Sequence, residues 1–232
     1  MKIGVFSDPH YSSQEVTCSV RYNSRSLKKI EQALARFTEQ QCDLVICLGD
    51  LIDKENDHTK EIDNLKQIAA IIKKCDLPFV CVMGNHDGFA FEADEFYRVL
   101  GIDPPTRLEF NGNHLLFLDA CYFENGNHYR PGDSDWTDTC YPFTDTLKNE
   151  LDRIDGNVYV FMHQNIDPEI DEYHSLSNAV EIRRILEQSG KVKAVYQGHY
   201  HHGNTATHNG IEYITYPAMC QNDEAVFFID IG

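Results

Sequence analysis

Short apolar runs alternate along this chain with stretches whose apolar residues recur at three- and four-residue spacing. Ile3 to Phe6 reads as a buried strand, and Leu27, Ile30, Leu34 and Phe37 share one face of a helix that Ser24 or Ser26 would cap. Leu44 to Leu48 is the next strand. Ile62, Leu65, Ile68, Ala69 and Ile72 form a second helical stripe, and Pro78 opens a strand through Val82. This β-α-β-α-β order predicts a parallel sheet with crossover helices.

The pattern changes after a helix near Glu92 to Leu100. Thr106 to Phe110 and His114 to Leu118 flank Asn111-Gly112-Asn113, a hairpin signal. A long aperiodic loop, Ala120 to Tyr141, is rich in Tyr, Asn, Gly and Asp; such a loop is either functional or mobile. Then follow a helix (Phe143 to Ile154), a strand (Val158 to Met162), a helix (Leu176 to Gln188) and a strand (Val192 to Tyr196). The end reads as antiparallel: Thr205 to His208, the turn Asn209-Gly210, Ile211 to Thr215, and Ala225 to Ile231. The expectation is an α/β fold of two sheets with helices outside, forming a single domain over residues 1–232.

Five short segments each follow a predicted strand: Asp8-Pro9-His10, Gly49-Asp50-Leu51-Ile52-Asp53, Gly84-Asn85-His86-Asp87, Met162-His163 and Gly198-His199-Tyr200-His201. In open α/β sheets the strand ends and their loops build the ligand crevice. Asp, His and Asn together suit Mn²⁺, Fe or Zn²⁺, and the lack of thiolates in these segments argues against a structural zinc site. Gly49, Gly84 and Gly198 stand just before the ligands, where the backbone is expected to turn sharply.

Charge narrows the substrate. With 20 basic and 37 acidic residues the formal net charge is −17, which repels polyanions at long range. The basic cluster Arg21, Arg25, Lys28 and Lys29 reads mostly as one helix face, so long nucleic acid is an unfavourable partner. A small phosphate compound stays open, because bound dications reverse the local field. None of the eight cysteines forms a C-x-x-C pair, and no basic leader or membrane-length apolar window appears. A cytoplasmic protein without membrane partner is expected.

The ordered set D-x-H, G-D-x-x-D, G-N-H-D, a lone His and G-H-x-H resembles the calcineurin-like metallophosphoesterases, from Asp8 to His201. The resemblance implies a four-layer α/β/β/α sandwich with two mixed sheets. It also implies two divalent or trivalent metal ions, manganese first, with iron or zinc as alternatives. By that likeness Asp8, His10, Asp50 and His201 would hold one ion. Asp50 would bridge to a second, held by Asn85, His163 and His199. His86 would face the phosphate, oriented by Asp53, and a metal-bridged hydroxide would attack phosphorus. Asp53 could instead cap the following segment, and Asp87 is read as turn support.

A weaker likeness joins Arg21-Tyr22 with Ser26-Leu27, and Tyr213 to Met219, to the manganese-dependent ADP-ribose and CDP-alcohol diphosphatases. There Arg21 would meet a phosphate and Tyr22 stack on a base or ribose. The alternative is a helix start with exposed Arg and packed Tyr. His174 reaches either the leaving group or only solvent. The loop from Tyr122 to Tyr141, with Trp136, either walls a nucleoside or alcohol pocket or is a packed excursion. His58, His114, His128, His202 and His208 are read as surface residues. The function expected is a phosphodiesterase or pyrophosphatase on a small nucleotide-like or phospho-alcohol substrate. A phosphomonoesterase (protein phosphatases included), a cyclic-nucleotide phosphodiesterase and a non-catalytic scaffold of the same fold are the alternatives.

Overall fold

The computed structural model describes residues 1–55 and 57–232. Strands β1 (Lys2–Phe6), β2 (Leu44–Cys47) and β3 (Phe79–Cys81) run parallel, joined by helices α1 (Asn23–Glu39) and α2 (His58–Ile72). Helices α3 (Asn85–Ala90) and α4 (Ala93–Leu100) lead to the hairpin β4 (Leu108–Phe110) and β5 (Asn113–Leu118). The pair β6 (Tyr122–Phe123) and β7 (Thr139–Cys140) closes the long loop. Then come α5 (Thr144–Arg153), β8 (Asn157–Met162), α6 (Ala179–Ser189), β9 (Val192–Gln197), β10 (Asn204–His208), β11 (Ile211–Thr215) and β12 (Phe227–Asp230).

Two large mixed sheets result, with strand orders β12-β1-β2-β3 and β10-β11-β9-β8-β5-β4. Alternation along each strand explains why they stack. Ile3, Val5, Leu44, Ile46 and Leu48 turn to one side and meet Leu115, Phe161 and Tyr196 of the other sheet. The alternate residues, among them Phe6, Val45 and Cys47, face α1, α2 and α4. Val158, Val160 and Met162 face α5 and α6. The layers are therefore α/β/β/α, as the family resemblance implied.

Several boundaries differ from expectation. Helix α1 starts at Asn23 without a side-chain cap, so Ser24 and Ser26 lie inside its first turn. Asn23 turns backward to the site instead, as described below. The helix expected from Leu176 begins at Ala179, after a 3₁₀ turn at Glu172–His174. The last apolar run does not extend the antiparallel end: β12 crosses to pair with β1, and Ile229 joins the core between the sheets. In β9, Lys193 is left out of the register between Val158↔Val192 and Tyr159↔Ala194, so alternation restarts at Ala194. The two hairpin signals hold: Asn111-Gly112 and Asn209-Gly210 take positive φ at both positions, the geometry of a primed turn. His114 is buried beside the Asp155 carbonyl at 3.3 Å, and His128 is half-buried against Asp119 at 3.0 Å, so neither is a surface residue.

Gly4 sets how closely α1 sits on the sheet. A Cβ there would stand 2.6 Å from Phe37 Cε1, inside a fully buried ring. We expect Gly4→Ala to cost about 1–3 kcal/mol by overpacking. Phe37→Leu in the same chain should recover part of that loss, as read by denaturant melts of the four-member cycle. Strict additivity would show that the two positions do not press on each other.

Candidate metal centre

The five motif segments leave the C-terminal ends of β1, β2, β3, β8 and β9, three from one sheet and two from the other. Backbone bonds lace them together: Asp8 N–H donates to the Gly49 carbonyl at 3.1 Å, His10 N–H to Asp50 at 2.9 Å, and Gly198 N–H to His163 at 3.0 Å. The C-terminal segment closes over this edge, with Met219 N–H on the Ser7 carbonyl and Cys220 N–H on that of Asp8.

Asp50 occupies the middle. The His86 backbone N–H donates to its Oδ1 at 2.8 Å. Its Oδ2 then lies 3.4 Å from His10 Nε2 and 3.3 Å from His163 Nε2. On the first side, His10 Nε2 and His201 Nε2 face each other at 3.1 Å, with Asp8 Oδ1 at 3.8 and 3.5 Å. On the second side, Asn85 Oδ1 lies 3.1 Å from His163 Nε2, and the His199 ring centroid is 5.1 Å from that of His163. His163 Nδ1 donates to the Leu48 carbonyl at 2.7 Å, which leaves Nε2 as the free lone pair in the neutral ring. The structure thus brings together the seven residues that the family likeness singled out, with Asp50 lying between His10 and His163.

The backbone is forced to make this cluster. Asp8, His10, Asp50 and His199 all hold φ between 45° and 65°, a left-handed conformation costing roughly 1–3 kcal/mol for a non-glycine residue. Of the three motif glycines only Gly49 shares it. Gly84 and Gly198 are required by close approach instead: a Cβ on Gly84 would collide with the Asp50 carboxylate and backbone, and one on Gly198 with Ser7 Oγ and Asp8.

Burial and charge set the protonation states. Burial opposes ionisation of Asp8, Asp50 and Asp53, yet the surrounding histidines hold all three carboxyls below the usual range. Burial and the Arg21 charge press His10 downward, but Asp50, Asp53 and Asp8 carry it up to about 9. His163 also rises to about 9, against burial, through Asp50. Burial lowers His199, His201 and His86. Asp87, pushed up to about 7 by burial and then by Asp50, accepts from the Gly84 and Ile52 N–H groups at 3.0 and 3.2 Å. It braces the loop, as read from the sequence.

His86 stands beside the cluster. Its Nδ1 lies 2.7 Å from Asp53 Oδ1, though off the direct line of the N–H, and its Nε2 lies 3.3 Å from Arg21 Nη1. Asp53 is held in turn by Thr17 Oγ1 at 2.6 Å and Asn23 Nδ2 at 2.9 Å; Asn23 also donates to the His10 carbonyl at 2.7 Å. So Asp53 does not cap a helix. Thr17 and Asn23 were missed from the sequence because neither belongs to a motif. Cys220 was missed too: its sulfur lies within 4.8 Å of ligand atoms of His10 and His201, so a thiol adjoins the first group after all. The Gln221 amide nitrogen reaches His201 Nδ1 at 2.8 Å.

A cleft of about 620 Å³ opens over the cluster. Arg21 and His86 line one side; Trp136, Tyr173, His174, Tyr200 and the exposed His202 line it with His199. Tyr22 does not line it: its ring lies under the Arg25 guanidinium, 4.5 Å from centroid to Cζ.

The calcineurin-like phosphoesterase family model matches residues 1–203. The chain belongs to the calcineurin-like phosphoesterase family. It is 25% identical over 228 residues to a probable cyclic nucleotide phosphodiesterase of Psychrobacter arcticus, covering 92% of this chain and 74% of that one. It is also 25% identical over 215 residues to the serine/threonine-protein phosphatase CPPED1 of Homo sapiens, covering 85% of this chain and 65% of that one. Its fold matches a dimetal phosphatase from Danio rerio with a TM-score of 0.79 at 19% identity, over 95% of this chain and 88% of that one. A calcineurin-like phosphoesterase of this fold uses divalent metal ions, and the donor set fits them. Two histidine nitrogens face each other beside carboxylates on one side, and an amide oxygen meets imidazoles on the other.

Metal uptake must compete with protons here. His10 and His163 hold theirs up to about pH 9 in the metal-free protein, whereas His199 and His201 are neutral already. Mn²⁺ affinity should therefore rise steadily from pH 6.5 to about 9, with proton release on binding at pH 7. Calorimetry in buffers of different ionisation enthalpy reads this directly. Affinity that stays level over that range would contradict the assigned protonation.

Proposed function

We propose that this metallophosphoesterase cleaves a phosphodiester or pyrophosphate bond in a small nucleotide-like or phospho-alcohol substrate. The observation that carries this reading is the cleft's extent on both sides of the donor cluster, toward Arg21 on one and Trp136 on the other. A phosphorus centre there has room for a substituent on each flank. Two relatives named as cyclic nucleotide phosphodiesterases, from Psychrobacter arcticus and Haemophilus influenzae, support a small substrate.

In this reading Asp8, His10, Asp50 and His201 would hold one metal ion, and Asp50, Asn85, His163 and His199 would hold the second. Manganese is our first choice, on the family likeness. Bound ions would supply Lewis acidity and acidify water. The chain's own residues do the rest. Arg21 and His86 donate hydrogen bonds to the phosphoryl oxygens and offset their charge. Water loses a proton to solvent and adds to phosphorus as the bond to the leaving oxygen breaks; that oxygen takes a proton from His86, which solvent then reprotonates. Burial lowers His86 and keeps the free ring neutral, so it donates only after taking up a proton, which Asp50, Asp53 and the charge of a bound phosphoryl group favour. Asp53, fixed by Thr17, Asn23 and Arg21, keeps the ring in place. The net charge of −17 still disfavours long nucleic acid. Among the described residues no helix is long and apolar enough to cross a membrane. The cysteines are all free, which suits a reducing compartment, and on that ground we assign the protein to the cytoplasm.

The metal-stripped chain should cleave a synthetic diester only after Mn²⁺ is restored, and in preference to the matching monoester. Monoester preference would move the assignment to a phosphatase. His86→Ala should keep its full metal content and lose about 10²- to 10⁴-fold in kcat. Loss of an ion from that variant would instead make His86 a ligand, a role its place beside His10 and Asp50 makes worth testing.

A further inference from the structure

We propose that Trp136, Tyr173 and His174 form a nucleobase subsite, so that the substrate is a nucleoside phosphoester and not a phospho-alcohol. This rests on the phosphoesterase reading and extends it. The cleft has unlike ends. Near Asp53 and His86 it presents a guanidinium, with Arg21 Nη1 at 3.4 and 3.3 Å from those residues. Beside His199 it presents rings. The Trp136 ring lies edge-on to His199 at 5.9 Å, and His174 lies at the same distance from that histidine. Tyr173 meets Trp136 at 5.5 Å and His174 at 5.0 Å, each time edge to face.

None of these contacts is a parallel stack, so in each pair at most one ring has a face covered by the other's edge, and all three residues line the cleft. Tyr173 is 54% exposed at its mouth, where an aromatic side chain gains little without a partner. Two polar groups add to the rings. Trp136 Nε1–H is buried and has no acceptor among the described residues. His174 Nδ1 lies 2.9 Å from Asp171 Oδ1, so in the neutral ring it donates there and Nε2 is left to accept. A flat heteroaromatic ring bearing donors and acceptors answers both features; choline would lie on the rings but pairs with neither polar group, and glycerol would pair with both but cannot stack. Phosphate at the donor cluster, base beside His199 and the remaining anionic limb toward Arg21 would then fill the cleft from end to end.

Trp136 is the one tryptophan in the chain, so tryptophan emission reports on this wall alone. Titrating the Zn²⁺-loaded protein with AMP or adenosine should quench that emission saturably. Ribose 5-phosphate and phosphocholine should change it no more than inorganic phosphate does. Tyr173→Ala should weaken AMP binding roughly 5- to 100-fold, the usual worth of one base stack. Its affinity for inorganic phosphate should stay at the wild-type value. Quenching by ribose 5-phosphate equal to that by AMP would overturn the subsite, as would wild-type AMP affinity in Tyr173→Ala. Cleavage of a small synthetic diester by the wild-type chain is scored separately. Its failure would strike the phosphoesterase reading, whereas its success without AMP quenching would strike only the subsite.

Discussion

The carboxylate of Asp50 is the point on which the two sheets agree. One oxygen is pinned by the His86 backbone N–H, and the other sits between His10 from the first sheet and His163 from the second. A buried carboxylate between two imidazoles is a severe demand. The desolvation cost is offset only if the partners are placed within a few tenths of an ångström. The two sheets must therefore stack in one register, and the core of Ile3, Val5, Ile46, Leu115 and Phe161 supplies that register.

The demand passes into the backbone. Four cluster residues adopt left-handed φ, and two glycines leave space that a methyl group would fill. Such strain persists when its surroundings over-determine it, here through the bonds lacing the strand ends and through the C-terminal segment. Electrostatics follow the same logic. The acids that would hold cations instead hold protons on His10 and His163 when no cation is there. In the proposed reading a chain of net charge −17 could still take an anionic substrate, because cations held by these acids would reverse the field locally.

Much of this was legible in the sequence because its signals were local. Short apolar runs placed the strands, Asn-Gly pairs placed both hairpin turns, and the five motifs stood after strands in family order. Most of the failures were non-local. Asn23 looked like an ordinary residue before a helix, but its amide spans His10 and Asp53. Cys220 and Gln221 reach the cluster only because β12 returns to β1, a pairing that no short-range pattern announces. His114 carries no sign that both its faces are covered. Tyr22 lost the stacking role suggested by its motif because Arg25, one helical turn on, covers its ring. Trp136 sits in a segment without periodicity, so its place in the cleft depended on the fold around it.

If one carboxylate couples two metal positions, electron paramagnetic resonance of the Mn²⁺-loaded chain will show it. Ions about 3.5–4 Å apart should give an exchange-coupled spectrum at two per chain. Asp50→Asn should collapse that spectrum to the six-line signal of isolated ions. A wild-type chain that binds a single ion, or two that remain magnetically independent, would contradict the shared Asp50 and the dinuclear chemistry built on it.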